Sequence, residues 1–149
     1  MAIERSVVAV PARLQSSRLP NKVLADIGGK PMIQRVLERC REAQGPCSVV
    51  LCTDSLKLQQ LAQVWGFPVL ITAESCSSGS ERIASVADAL VALAWEEDPS
   101  HWDPSLRSKR LSQTAVINVQ GDQPLLDPSI VTKMVCEAQQ RASAPAVSA

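Results

Sequence analysis

Tyrosine is absent from this chain, phenylalanine and histidine each occur once, and aromatic residues make up only 3%. That scarcity removes the stacking platforms on which single-stranded nucleic acids are held. Basic excess is missing too: 15 Lys and Arg balance 15 Asp and Glu, so no electrostatic footprint for a nucleic-acid partner is present. No apolar run approaches the length of a membrane span, and Met1–Arg5 leads into the first apolar run without a signal core. These features point to a cytoplasmic protein with neither a nucleic-acid nor a membrane partner. None of the five cysteines forms a C-x-x-C pair and their number is odd, which argues against zinc and against a disulfide framework. Buried thiols of a reducing compartment account for them. A Ser-His or Cys-His hydrolase would have to rest on His101, which lies in a polar segment.

What is present is an α/β pattern. Residues 1–149 are long enough for one domain with a proper core. Ser6–Val10, Ser48–Cys52, Pro68–Ile71 and Ala115–Val119 are short apolar runs of the kind buried on both faces of a parallel sheet. Between them, Met32, Val36, Leu37 and Cys40 recur at helical spacing, as do Leu58, Leu61, Ala62 and Trp65. Ser77–Glu81 opens a third helix whose stripe runs from Ile83 to Ala94, and Asp127-Pro128 caps a last one. Strands alternating with helices predict a mostly parallel sheet with helices on both faces. The segment 96–113 breaks the pattern; its polar, proline-containing composition predicts an inserted excursion without fixed structure.

Three cations, Arg13, Arg18 and Lys22, follow the first strand, and no acid lies between Ser6 and Ala25. Such a loop is either a solvated surface or a cradle for a polyphosphate. In an open parallel sheet, ligands bind beyond the carboxyl ends of the strands. Gln120-Gly121-Asp122 leaves the fourth strand at that same edge. A carboxylate becomes useful beside phosphates when a divalent cation lies between them, so Asp122 is a candidate Mg²⁺ ligand; otherwise Gly121-Asp122 is an ordinary turn. Ser78 and Glu81 have the spacing of a capping box, and the same helix start could face a ligand. Neither a Walker loop nor a G-x-G-x-x-G fingerprint is spelled anywhere.

The run Pro11-Ala12-Arg13-x-x-Ser16-x-Arg18-Leu19-Pro20-x-Lys22-x-Leu24 resembles the signature loop of the 3-deoxy-manno-octulosonate cytidylyltransferases, the CMP-KDO synthetases. Gly29-Lys30-Pro31-Met32-Ile33, Ser78-Gly79-Ser80-Glu81-Arg82 and Asn118-Val119-Gln120-Gly121-Asp122-x-Pro124 resemble its further motifs in the same order. The resemblance implies a nucleotide-diphospho-sugar transferase fold, and transfer of CMP from CTP to the sugar acid KDO for lipopolysaccharide synthesis. Arg13 and Lys22 would hold the triphosphate, with Arg18 assisting. Ala12, Ser78 and Gly79 would face the nucleoside, Gln120 would orient a substrate, and Asp122 would bind Mg²⁺. Asn21, Cys76 and Gln123 depart from the family pattern. Family chains run further and are expected to be homodimers, so this sequence reads as the CTP-binding portion of one domain, truncated at its C-terminus. An inactive CTP-binding fragment, or a cytidylyltransferase for another sugar acid such as a sialic acid, are the alternative readings.

Overall fold

The computed structural model describes residues 3–14, 21–46 and 48–140, together with the backbone of residues 146–148. At its centre lies β1 (Arg5–Ala12), in which Val7, Val8, Ala9 and Val10 are completely buried. Strand β4 (Ser48–Thr53) pairs with one edge of β1, and β6 (Thr114–Asn118) with the other, both in parallel. Strand β5 (Val69–Ile71) extends the sheet beyond β4, and β7 (Ala146–Ser148) beyond β6, giving the order β5-β4-β1-β6-β7. The sequence pattern ended before a fifth strand; the backbone of 146–148 supplies one, with Ile117 opposite Val147.

Alternation along the strands sends side chains to two cores. Val8, Val10, Val49 and Leu51 face α1 (Met32–Glu42), α2 (Leu56–Val64) and α6 (Pro128–Gln140), packing with Ile33, Leu37, Leu58 and Val131. Val7, Ala9, Val50 and Cys52 face the opposite layer with Ile83, Leu90 and Ala94. Burial on both faces is why these strands read as uninterrupted apolar runs. Among the described residues no helix is long and apolar enough to cross a membrane.

Three local differences from the sequence pattern have physical causes. First, Gly28 and Gly29 both take positive φ, 62° and 95°, and fold a small hairpin of β2 (Asp26–Ile27) and β3 (Lys30–Pro31). Two consecutive left-handed residues are what a tight hairpin turn requires. Arg35 of α1 donates to the carbonyls of Ile27 (2.9 Å) and Gly28 (2.7 Å), holding the hairpin on the helix. Pro31 is therefore the residue before α1 and not its first helical position.

Second, the stripe from Ile83 to Ala94 belongs to two helices, α3 (Gly79–Ser85) and α4 (Ala87–Trp95). The Ser85 hydroxyl donates to the Arg82 carbonyl at 2.7 Å, and Val86 at the joint has φ −122° and ψ 25°. A serine bonding back onto its own helix competes with the backbone ladder there.

Third, 96–113 is not the unstructured excursion expected. Asp98 caps a 3-10 turn over Pro99–His101, and Asp103 caps α5 (Pro104–Ser112) by accepting from the Leu106 amide at 2.7 Å. Polar contacts hold α5 in place. Arg110 makes a forked pair with Glu97 (2.7 and 2.9 Å), Arg107 pairs with Asp88 (2.8 Å), and the Arg110 guanidinium lies 4.0 Å over the Trp95 ring. The Asp-Pro pair at 103–104 was the available signal, an N-cap followed by proline at the first helical position.

Candidate functional site

The strand order reverses beside β1: the chain steps outward from β1 through β4 to β5, then crosses to the other side of β1 to form β6. At such a point the loops leaving two neighbouring strands diverge and open a crevice at their carboxyl ends. A cleft of about 300 Å³ lies there. Its walls come from the end of β1, the turn after it, the start of α3 and the turn after β6.

Ala12, Arg13, Lys22, Ser78, Gly79, Gln120 and Asp122 all line this cleft. Arg18 lies outside the described residues. Arg13 is exposed directly after β1. Lys22 starts a 3-10 turn, Lys22–Leu24, and Asn21 before it sits in the left-handed region with φ 59° and ψ 25°. Asparagine tolerates that conformation better than most side chains. The Asn21 amide donates to the Leu14 carbonyl at 2.8 Å, closing the loop so that Lys22 returns to the rim. Across the opening, Lys22 Nζ stands 3.4 Å from Asp122 Oδ2, with side-chain exposures of 45% and 50%. An ion pair this open is weakly held and exchanges partners easily.

Two glycines set the shape of the cleft. A Cβ on Gly79 would lie 3.0 Å from the Pro11 ring and within 3.5 Å of the Gln120 amide. One on Gly121 would meet Ile33 Cδ1 at 3.1 Å and the Pro11 carbonyl at 3.3 Å. Gln120 itself is steadied by donating Nε2 to Asn118 Oδ1 at 3.2 Å.

Ser78 caps α3, its hydroxyl accepting from the Glu81 amide at 3.0 Å. Glu81 does not complete the reciprocal box with Ser78; its carboxylate accepts from the hydroxyl and the amide of Ser77, one residue earlier. The Ser77 hydroxyl, then its amide, hold the Glu81 carboxyl below its ordinary range. Ser78 and Glu81 are thus both engaged in fixing the helix start that forms the cleft wall.

Arg82 also lines the cleft, a cation to which the motifs assign no role. It sits one turn into α3 with 4% of its side chain exposed. It closes the run Ser78-Gly79-Ser80-Glu81-Arg82, but nothing in that pattern distinguishes a buried arginine from a solvated one.

Hard oxygen donors are sparse. Asp122 is the carboxylate that lines the cleft, and the described residues hold no cluster of three or more metal-ligating side chains. One carboxylate suits Mg²⁺ carried in on phosphate oxygens and does not suit a resident metal centre.

Residues 7–147 match the family described as Cytidylyltransferase. This chain belongs to that family. Among solved structures, CMP:2-keto-3-deoxy-manno-octonic acid synthetase complexed with CTP is 32% identical, with a TM-score of 0.74 over 92% of this chain and 48% of that one. A cytidylyltransferase from Leptospira borgpetersenii serovar Hardjo-bovis is 23% identical, with a TM-score of 0.64 over 89% of this chain and 48% of that one. Rv0371c from Mycobacterium tuberculosis H37Rv, at 15% identity and a TM-score of 0.54, covers 94% of this chain and 62% of its own. The latter two share the fold. This cytidylyltransferase chain spans about half the length of the first two solved relatives.

Proposed function

We propose that the cleft binds CTP with Mg²⁺ and serves transfer of CMP to a sugar acid, with KDO as the acceptor. The observation that carries this reading is the meeting of two cations from the β1 loop with a carboxylate from the β6 turn at the switch point of the sheet. KDO is favoured over a sialic acid by the four motifs and by the 32% identity to a synthetase of that compound solved with CTP.

In this reading an acceptor hydroxyl oxygen bonds to the α-phosphorus, the bond from that phosphorus to the bridging oxygen breaks, and pyrophosphate leaves. The hydroxyl proton passes to solvent. Catalysis of this kind rests on positioning and charge stabilisation, and requires no histidine. Arg13 and Lys22 bind the triphosphate and offset the charge that grows on the departing pyrophosphate. Lys22 reaches it by giving up Asp122, and Asp122 is thereby freed to hold Mg²⁺. When bound, the ion draws charge from the phosphate oxygens. Gln120, braced by Asn118, orients the reactants, while Gly79 and Gly121 let the start of α3 and the β6 turn pack closely against Pro11.

The test is pyrophosphate release from CTP, Mg²⁺ and KDO, with a sialic acid in parallel. Release with KDO alone supports the full reading, and release with the sialic acid alone transfers it to that acceptor. CTP binding without release overturns the transfer step and leaves a nucleotide-binding chain, and no CTP binding overturns the reading altogether. Lys22→Met should weaken CTP binding ten- to a hundredfold, the loss of one charge-assisted contact worth about 1.5–3 kcal/mol.

A further inference from the structure

Burying a guanidinium is expensive, and an apolar side chain of similar volume usually serves stability as well or better. Arg82 is nonetheless almost wholly enclosed, and its side-chain partners belong to two other segments. Its Nη1 donates to the Thr72 hydroxyl and to the Ala73 carbonyl at 3.2 Å, in the chain leaving β5. Its Nη2 lies 3.8 Å from Asp54 Oδ2, just past the end of β4. That separation is too long for a hydrogen bond, so the charge is only loosely matched. Arg82 itself rides on α3, behind Ser78 and Gly79, and borders the cleft.

We propose that Arg82 is a positioning residue for the nucleoside half of the cleft. Its Nη1 ties the chain leaving β5, at Thr72 and Ala73, to α3, and so fixes the segment that leads into the start of that helix. A lysine keeps the charge but has no planar guanidinium to aim at both acceptors from the same place. The phosphate half of the cleft is built by other elements, the β1 loop and the β6 turn, which Arg82 does not touch through any of these bonds. Loss of these two bonds should therefore loosen the wall that faces the nucleoside and leave the triphosphate half in place. This inference rests on the reading of the cleft as a CTP site.

The experiment is calorimetric titration with CTP and, separately, with inorganic tripolyphosphate, both with Mg²⁺. The chains compared are the native one and the Arg82→Lys, Thr72→Val and Thr72→Ser variants, with thermal unfolding measured on each. Arg82→Lys and Thr72→Val should raise the CTP Kd by roughly tenfold, as expected for a lost charge-assisted bond. Tripolyphosphate affinity should change less than about twofold, and Thr72→Ser, which keeps the hydroxyl, should bind CTP like the native chain. If Arg82→Lys fails to fold, Thr72→Val carries the comparison. CTP affinity unchanged in folded variants overturns the proposal. Equal weakening of both ligands also overturns it, because Arg82 would then act as a general charge. A native chain that binds neither ligand refutes the nucleotide reading itself and this inference with it, whereas native binding with unaffected variants refutes the inference alone.

Discussion

Asp122→Asn separates a residue kept for the ligand from one kept for the fold. The substitution preserves size and removes one charge. In the native chain Asp122 Oδ2 lies 3.4 Å from Lys22 Nζ, and about half of each side chain is exposed. Coulomb attraction at that separation is about 1.2 kcal/mol in water. Exposed pairs retain only about 0.2–1 kcal/mol once side-chain ordering and salt are counted. For a chain of this size, about 1 kcal/mol corresponds to roughly 2–4 °C in Tm, so Asp122→Asn should unfold within a few degrees of the native protein. Nucleotide binding should respond very differently. With a chelator present, the variant should bind CTP at least as well as the native chain, because a carboxylate facing phosphates has been removed. With Mg²⁺ present, the native affinity should rise and the variant's should not. A carboxylate contact worth about 1.5–3 kcal/mol makes that gap ten- to a hundredfold. Thermal unfolding and calorimetry in matched buffers read both halves. A variant that keeps the native response to Mg²⁺ would refute the metal assignment. One that loses more than about 5 °C, beyond what an exposed pair can supply, would show that Asp122 is structural.

Two glycines should differ in what they cost. Gly79→Ala places a methyl 3.0 Å from the Pro11 ring and should lower both Tm and CTP affinity by displacing the start of α3; Gly29→Ala has open space but φ 95°, and should cost roughly 1 kcal/mol, about 2–4 °C, with CTP affinity intact. Calorimetry and thermal unfolding on the two variants check this, and unchanged CTP affinity in Gly79→Ala would remove Gly79 from the wall of the nucleotide site. Trp95→Leu removes the indole that donates to the Thr114 hydroxyl at 2.8 Å and stacks under Arg110 and Arg5. It should lower Tm by several degrees and raise protease cleavage within 96–113; unchanged proteolysis would mean that α5 is held by its ion pairs alone. Acid should destabilise the fold in a defined window. The Arg110 fork holds the Glu97 carboxyl below its ordinary value of 4.5, and the Lys30 ammonium does the same for Glu38. Because these folded values are depressed, their contribution is complete above about pH 4.5 and is lost as pH falls through the lower folded values. Tm measured from pH 7 to pH 3 should therefore drop chiefly below pH 4.5, with a shallower drop in Glu97→Gln.

The sheet was legible because burial on both faces leaves apolar runs with no other explanation, as in Val7–Val10. The cleft was legible because chemistry repeats in its spelling: unopposed cations after β1 and Gly-Asp after β6. What escaped depended on side-chain partners that no period encodes. Helix α5 stays in place through Arg107, Arg110 and the Trp95 ring, and its polar sequence resembles a loop. The break at Val86 follows from a serine turning its hydroxyl inward, which an apolar stripe cannot reveal. Arg82 looked like any charged residue on a helix. Its burial comes from the packing of α3 against the chain leaving β5 and the end of β4, which no helical period encodes.

The pairing of β1 with β6 also governs how the molecule comes into being. Arg5 lies opposite Thr114 and Val8 opposite Ile117, so one edge of the central strand waits for a partner more than a hundred positions later. At synthesis rates of about 5–20 residues per second, that wait is roughly 5–20 s. For all of it, Val7–Val10 offers an apolar strand edge open to pairing with another chain, the situation in which aggregation competes with folding. Lys22 and Asp122, on opposite rims of the cleft, come together only when that edge is closed. Ligand-binding competence therefore waits for β6, and slowing translation ahead of β6 should reduce the yield of binding-competent protein more than slowing it just afterwards.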